Sequence, residues 1–382
     1  LELAYEDRLK STDGIQIYIA DEKGNLVTEI AKQEQKDGED VKITINSDIQ
    51  KNLYTQLKDD KGLFVVMEPK TGELLALVST PSYDSNDFSL GMTNAKWEEL
   101  NNDDSKPLYN RFLQSYCPGS TFKPITGAIG LTTGAFTKDD TFNYNGTSWQ
   151  KDSSWGNYFI TRVNNITTPI TLREAAKYSD NIYFAQLALK IGSENLINGI
   201  KGFGIGEEMT FEYPMTDSSI SNDGSLNSEI LLADTGYGQG ELMVTPLNMA
   251  LAYSALANNG NIMTPRLVLS DNSTASIWKE SAIKPENLQT LIEDFSAMVN
   301  DEDGHAYEMK IDGYNIAAKT GTAEIKSSQD DTNGTENGWF VAVDTTSSKL
   351  AIATIIEDVK DRGGSSIPIP MVKNIMEEYL NR

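Results

Sequence analysis

The sequence predicts an α+β fold with a five-stranded, mainly antiparallel sheet flanked by helices, and three observations point to it. Two apolar runs, at 63–67 and 74–78, flank Pro69-Lys70-Thr71-Gly72, and a turn-forming centre between strand-like runs signals a hairpin. A second hairpin lies at the far end of the chain: a run at 339–343, a turn around Asp344 to Ser348, and a run at 350–356. A fifth run, at 314–318, leads into Lys319-Thr320-Gly321, and a helix-rich stretch separates it from the first hairpin. Sequence-distant strands sharing one sheet bring the ends of a domain together, with helices packed on the faces.

Taken in order, residues 1–45 read as a lead-in. Strand-like runs at 15–19 and 26–30 are joined by Asp21-Glu22-Lys23-Gly24-Asn25, a charged connector covers 32–40, and Val41-Lys42-Ile43-Thr44-Ile45 alternates as a strand should. Residues 46–382 form the main domain. Ser47 or Asp48 caps a helix to about Lys58, with Ile49, Leu53 and Leu57 at helical spacing. The near-continuous apolar character of 63–67 and 74–78 predicts burial on both faces. Residues 172–191 read as helix, with Ser179-Asp180-Asn181 inside it or at a break. Thr245-Pro246-Leu247 opens another helix, a threonine cap followed by proline at the first position, and Asn258-Asn259-Gly260 stops it. A last helix over 370–380 closes one face of the sheet.

The chain of 382 residues has room for one large domain or two ordinary ones. Its 39% hydrophobic and 23% charged residues are those of a soluble globular protein. A formal net charge of −24 suits neither nucleic acid nor anionic lipid, which are bound through clustered Lys and Arg. No apolar run is long enough to cross a bilayer and no signal-peptide pattern opens the chain, so the abrupt start at Leu1-Glu2-Leu3 reads as a trimmed ectodomain. The single cysteine, Cys117, excludes an intrachain disulfide and reads as a small buried filler rather than a nucleophile. The single histidine, His305, sits in a polar loop and argues against zinc sites and a Ser-His-Asp triad. Gly236-Tyr237-Gly238-Gln239-Gly240 lacks the Gly-Lys-Ser/Thr of a phosphate loop.

The chemistry concentrates in Tyr116-Cys117-Pro118-Gly119-Ser120-Thr121-Phe122-Lys123-Pro124. If the run opens a helix, Ser120 and Lys123 share one face. A serine hydroxyl needs an adjacent base before it attacks a carbonyl, and a lysine can be that base once burial or a nearby cation lowers its pKa. Alone, this spacing also suits an ordinary helix start. Ser179 and Asn181 taken singly read as caps, and Lys319 as a solvated edge charge. Together, Ser120-x-x-Lys123, Ser179-Asp180-Asn181 and Lys319-Thr320-Gly321 form an ordered set, the signature of penicillin-binding proteins and class A β-lactamases.

On these motifs, and on the blocks Thr71-Gly72-Glu73-Leu74-Leu75-Ala76-Leu77-Val78-Ser79-Thr80-Pro81-Ser82-Tyr83-Asp84, Trp149-Gln150-Lys151-Asp152 and Ile230-Leu231-Leu232-Ala233-Asp234-Thr235-Gly236-Tyr237-Gly238-Gln239-Gly240-Glu241, the chain resembles the transpeptidase domain of class B penicillin-binding proteins. The likeness is strongest to low-affinity members linked to β-lactam resistance. It implies a serine β-lactamase/transpeptidase-like fold, with residues 1–45 the remnant of a membrane-proximal pedestal and 46–382 the transpeptidase domain. It implies a D,D-transpeptidase in which Ser120 attacks the penultimate D-Ala carbonyl of a peptidoglycan stem peptide and Lys123 accepts the proton. Ser179 and Asn181 would relay protons and hold the peptide amide, and Lys319 would supply positive potential. Thr320, Gly321 and Thr322 would bind the substrate, and the backbone N–H groups of Ser120 and Thr322 would form the oxyanion hole. β-Lactams would acylate the same serine, and slowly. No cofactor and no metal is implied. The place of work would be the extracytoplasmic face of the bacterial membrane, through an N-terminal anchor that these residues lack, with room for a glycosyltransferase partner. A serine β-lactamase and a non-catalytic β-lactam sensor are the competing readings; against the first, Ser120 and Lys319 stand far apart for a compact hydrolase and no Glu-x-x-Leu-Asn follows Asn181. Threonine at position 320, where some relatives have serine, departs from the pattern.

Overall fold

The computed structural model describes residues 1–270, 274–325 and 334–381. Its central sheet has five strands in the spatial order Ile316–Ile325, Thr335–Asp344, Ala351–Ile356, Gly62–Met67, Leu74–Thr80, every neighbouring pair antiparallel. The two ends of the domain join where Ala351–Ile356 pairs with Gly62–Met67, Ile352 opposite Val66 and Thr354 opposite Phe64.

Side chains alternate across a strand, so each continuous apolar run serves two cores at once. Leu63, Val65, Met67, Trp339, Val341 and Ile355 enter one core with Phe122, Ile125, Phe184 and Leu247. Phe64, Val66, Phe340, Ala342 and Ile352 enter the other, with Leu53 and Leu57 of helix Ser47–Leu57 and Val372 and Ile375 of helix Ile369–Leu380. The predicted burial on both faces is therefore met by an antiparallel sheet, because helices cover both sides. Among the described residues the edge strand Ile316–Ile325 has a strand partner on one side only, and it faces the turn Gly119–Phe122.

Several local expectations shift. Helix Ser47–Leu57 buries Ile49, Leu53 and Leu57 as its spacing predicts, but its cap is Asn46 rather than Ser47 or Asp48: Asn46 Oδ1 accepts from Asp48 N at 3.0 Å and Ile49 N at 3.2 Å. The alternating run at 41–45 yields only a two-residue strand, Lys42–Ile43, paired with Val268–Leu269. The helical stretch 172–191 is two helices, Leu172–Lys177 and Asn181–Ile191, with the Ser-Asp-Asn motif at the break. Thr245 caps helix Pro246–Ser254 as expected, accepting from Asn248 N at 3.2 Å. In the lead-in, Ile15–Ala20 pairs with Leu26–Gln33, and both strands are exposed throughout.

Candidate active site

Ser120 lies in a 3₁₀ turn, Gly119–Phe122, that runs directly into helix Lys123–Thr133. Pro124 falls in the first turn, where a missing N–H leaves no bond unmade. The turn is pinned from several sides. Gly119, at φ +53, donates its N–H to Gly238 O at 2.9 Å; Tyr253 Oη donates to Thr121 O at 2.8 Å; Trp339 Nε1 donates to Cys117 O at 3.0 Å. A serine fixed by its backbone in this way loses little freedom when it reacts.

Lys123 is fully buried, and its Nζ lies 2.8 Å from Ser120 Oγ, 2.7 Å from Ser179 O, 3.0 Å from Ser179 Oγ and 2.7 Å from Asn181 Oδ1. Two of these oxygens, the Ser179 carbonyl and the Asn181 amide, can only accept. The Asn181 orientation is fixed because Nδ2 donates to Thr161 O at 2.9 Å. A neutral amine thus spends its two N–H groups on the two obligate acceptors and keeps its lone pair for the Ser120 hydroxyl. Burial, and then the Lys319 charge, push the Lys123 pKa well below the ordinary lysine value, with Asp180 pulling the other way. Geometry and electrostatics both favour the neutral amine a general base must be.

The motif at the helix break owes its shape to Asp180. Its Oδ1 caps helix Asn181–Ile191, accepting from Ile182 N at 2.8 Å and Tyr183 N at 3.3 Å, while Oδ2 meets Arg162 Nη1 at 2.6 Å. Ser179, one residue earlier, sits at φ +57, a left-handed conformation uncommon for a non-glycine residue, and this turns its carbonyl and hydroxyl onto Lys123.

Lys319 is buried rather than a solvated edge charge. Its Nζ donates to Thr320 O at 3.0 Å, it forms no ion pair among the described residues, and burial brings its pKa down to about 7. Gly321 presses against the nucleophile turn: a Cβ there would stand 2.9 Å from Pro118 O. A Cβ on Gly119 would stand 2.5 Å from Thr322 O and 3.5 Å from Thr322 N, so the residue before Ser120 packs directly on the Thr322 backbone. The Thr320 side chain is buried, its hydroxyl 3.9 Å from Met298 Sδ. Cys117 is half-buried, donates Sγ–H to Gly238 O at 3.2 Å, and burial pushes its thiol up to about 11, so it is no competing nucleophile. The exposed His305 is drawn into the field of the site: partial desolvation, then the Lys319 charge, hold its imidazole below the usual range.

Three contributors escaped the sequence reading: Arg162, the Thr161 carbonyl, and Gln239, whose Nε2 donates to Thr322 O at 3.5 Å. Only Gln239 carried a signal, as part of a glycine-rich turn.

A serine hydroxyl beside a buried amine whose pKa burial lowers, with a second buried lysine on the adjacent edge strand, defines the serine–lysine acyl-transfer class of site. Residues 62–377 match the penicillin binding protein transpeptidase domain, and residues 1–43 the penicillin-binding protein dimerisation domain. The chain belongs to the penicillin-binding protein transpeptidase family. It is 45% identical over 373 residues to penicillin-binding protein 3 of Bacillus subtilis, covering 98% of this chain and 55% of that protein. It is 28% identical over 410 residues to the peptidoglycan D,D-transpeptidase MrdA of Haemophilus influenzae, covering 100% of this chain and 62% of that one. The chain therefore spans a little over half the length of these relatives. Penicillin-binding protein A of M. tuberculosis, solved as a ceftriaxone acyl-enzyme complex, superposes with a TM-score of 0.79 at 27% identity, over 90% of this chain and 80% of that one.

Proposed function

We propose that this chain is the acyl-transferring part of a D,D-transpeptidase that cross-links peptidoglycan stem peptides through Ser120. The observation that carries this reading is the buried Lys123 amine, 2.8 Å from Ser120 Oγ and held there by oxygens of Ser179 and Asn181. Lys123 takes the Ser120 proton as Oγ attacks the penultimate D-Ala carbonyl, and the developing oxyanion is met by the N–H groups of Ser120 and Thr322. The proton passes by way of Ser179 to the departing D-Ala nitrogen, the C–N bond breaks, and an amine from a neighbouring strand then takes the acyl group from Ser120. Lys319 receives the terminal carboxylate of the donor peptide, with Gly321 and Thr322 lining its seat; Thr320 joins them if its hydroxyl rotates from Met298. A β-lactam follows the first half of this path, but its leaving nitrogen stays tethered in the opened ring.

Residues 46–382 are assigned to the transpeptidase domain and 1–45 to the end of a membrane-proximal pedestal, a division supported by the dimerisation-domain match over 1–43. The names of the relatives support work on peptidoglycan; an extracytoplasmic location, a membrane anchor and a glycosyltransferase partner are proposed from the resemblance to class B penicillin-binding proteins alone. Likeness over the blocks at 71–84 and 230–241 supports a low-affinity, resistance-linked target.

A time course with fluorescent penicillin tests the assignment. One adduct by intact mass, absent from Ser120→Ala and lost only slowly, is the expected result. Nitrocefin turnover many times per minute, abolished in Ser120→Ala, would place the protein among the hydrolases instead.

A further inference from the structure

Two consecutive residues grip two consecutive residues of the Ser-Asp-Asn motif. Thr161 O accepts from Asn181 Nδ2 at 2.9 Å, and Arg162 Nη1 meets Asp180 Oδ2 at 2.6 Å. The rest of the Arg162 guanidinium is spent on carbonyls of its own loop: Nε donates to Gly146 O at 2.9 Å, and Nη2 to Tyr144 O at 2.9 Å and Ile166 O at 3.4 Å. Arg162 is 5% exposed and Asp180 1%. A pair this deep adds little net stability over an apolar substitute, so its presence beside the site points to another role.

We propose that Arg162 is a positioning residue for acyl transfer: it holds Asp180 and the 144–166 loop so that Ser179 O and Asn181 Oδ1 stay on the Lys123 amine, and it screens that amine from the Asp180 carboxylate. The inference rests on the reading of Lys123 as the base. Among the described residues, the charges that act directly on Lys123 are Lys319, from the edge strand, and Asp180, at the head of helix Asn181–Ile191, and Arg162 reaches it through its pairing with Asp180; the Phe184 ring lies 5.7 Å from Nζ, and the hydrogen-bond partners Ser120, Ser179 and Asn181 are uncharged. Lys319 disfavours a proton on Lys123 and Asp180 favours one. Arg162 stands on the far oxygen of Asp180 and offsets the second influence, while the Ile182 and Tyr183 N–H groups hold the other oxygen.

The test compares Arg162→Met, Asp180→Asn and the double variant, in which the asparagine oxygen retains the cap. Two quantities are followed between pH 5 and 10: the second-order acylation rate with fluorescent penicillin, and the Lys123 titration by ¹³Cε NMR in a Ser120→Ala background. In Arg162→Met the unscreened carboxylate favours protonated Lys123, so both the acidic limb and the titration move up by about one pH unit, and acylation below the limb falls about tenfold. In the double variant both return to within a few tenths of a unit of wild type. In Asp180→Asn, which retains Arg162, both move down, and this arm decides the matter if Arg162→Met does not fold. Variants that lose melting temperature and plateau rate while the Lys123 titration stays put would overturn the proposal, leaving Arg162 a structural residue. The base assignment fails separately: Lys123→Arg acylating normally refutes it, while the NMR titration still reports whether Arg162 governs the charge on Lys123.

Discussion

Gly238 backs Gly119 so closely that a methyl group on its Cα would stand 1.9 Å from the Gly119 carbonyl oxygen, and the Gly119 N–H donates to Gly238 O at 2.9 Å. Gly238 also sits at φ +83, where any side chain is strained. On its other side Gly119 abuts Thr322, so the serine-bearing turn is wedged between the Gly236–Gly240 turn and the edge strand. Gly238→Ala should therefore displace Ser120. A misplacement of the order of 1 Å costs about a hundredfold in rate, and the strained backbone about 1–3 kcal/mol in stability. Stopped-flow acylation beside thermal melts checks this; an alanine variant that acylates at the wild-type rate would show that the contact does not set the position of the nucleophile.

Much of this arrangement was legible beforehand because it is written locally. The hairpin around Pro69-Lys70-Thr71-Gly72, the terminal hairpin and the Lys319 strand each declare themselves by apolar runs and turn residues, and their union in one sheet follows from burial. What was not legible depends on contacts between distant segments. Asn46, Ser47 and Asp48 can all cap a helix, and Asn46 takes the part because its N–H is anchored on Leu75 O at 2.8 Å. The left-handed Ser179 has no glycine to announce it, and its conformation belongs with a cap and an ion pair on Asp180. Arg162 was invisible for the same reason: an arginine in an irregular loop gives no sign of which carboxylate will meet it.

Lys123→Arg keeps the charge but cannot lose its proton near neutral pH. The four oxygens around Nζ would then face a permanent cation with no lone pair for Ser120. Acylation should fall by about two orders of magnitude or more, the usual contribution of a general base, with circular dichroism unchanged. Near-normal labelling of this variant would move the base elsewhere.

Lys319 and Lys123 need opposite protonation states, and the pH profile should reveal both. Lys123 works when neutral, so acylation is lost as pH falls. Lys319 attracts a carboxylate when charged, and with its pKa brought to about 7 by burial, that attraction fades as pH rises through and above 7. The two ammonium groups disfavour each other, so the bell belongs to the pair rather than to either lysine. A carboxylate in the site stabilises the Lys319 cation and carries the alkaline limb upward. Lys319→Arg, charged at every accessible pH, should flatten the alkaline limb, keep the acidic one, and be milder overall than Lys123→Arg. An alkaline limb unaltered in Lys319→Arg would assign it to another group.

The last prediction is that acylation by β-lactams is slow while the adduct is long-lived. Ser120 cannot easily adjust by itself. Its turn is held by Trp339 Nε1 on Cys117 O and by Gly238, and a Cβ on Gly321 would already stand 2.9 Å from Pro118 O and from Thr121 Cγ2. Any change in the separation of Ser120 from the Thr322 amide therefore has to move the edge strand Ile316–Ile325, which is paired along its length with Thr335–Asp344. A bulky ring-fused substrate that needs such a shift meets its cost before the bond forms, and each 1.4 kcal/mol or so slows acylation about tenfold. The penalty falls on the acylation constant and leaves the lifetime of the ester largely unchanged, because the strand movement precedes the bond and is not repeated in hydrolysis of the ester. Stopped-flow acylation with benzylpenicillin, run beside an ordinary penicillin-sensitive transpeptidase, decides it: an equal second-order constant would refute slow acylation and leave the serine–lysine assignment standing, whereas a constant lower by two orders of magnitude would place about 3 kcal/mol in that strand movement.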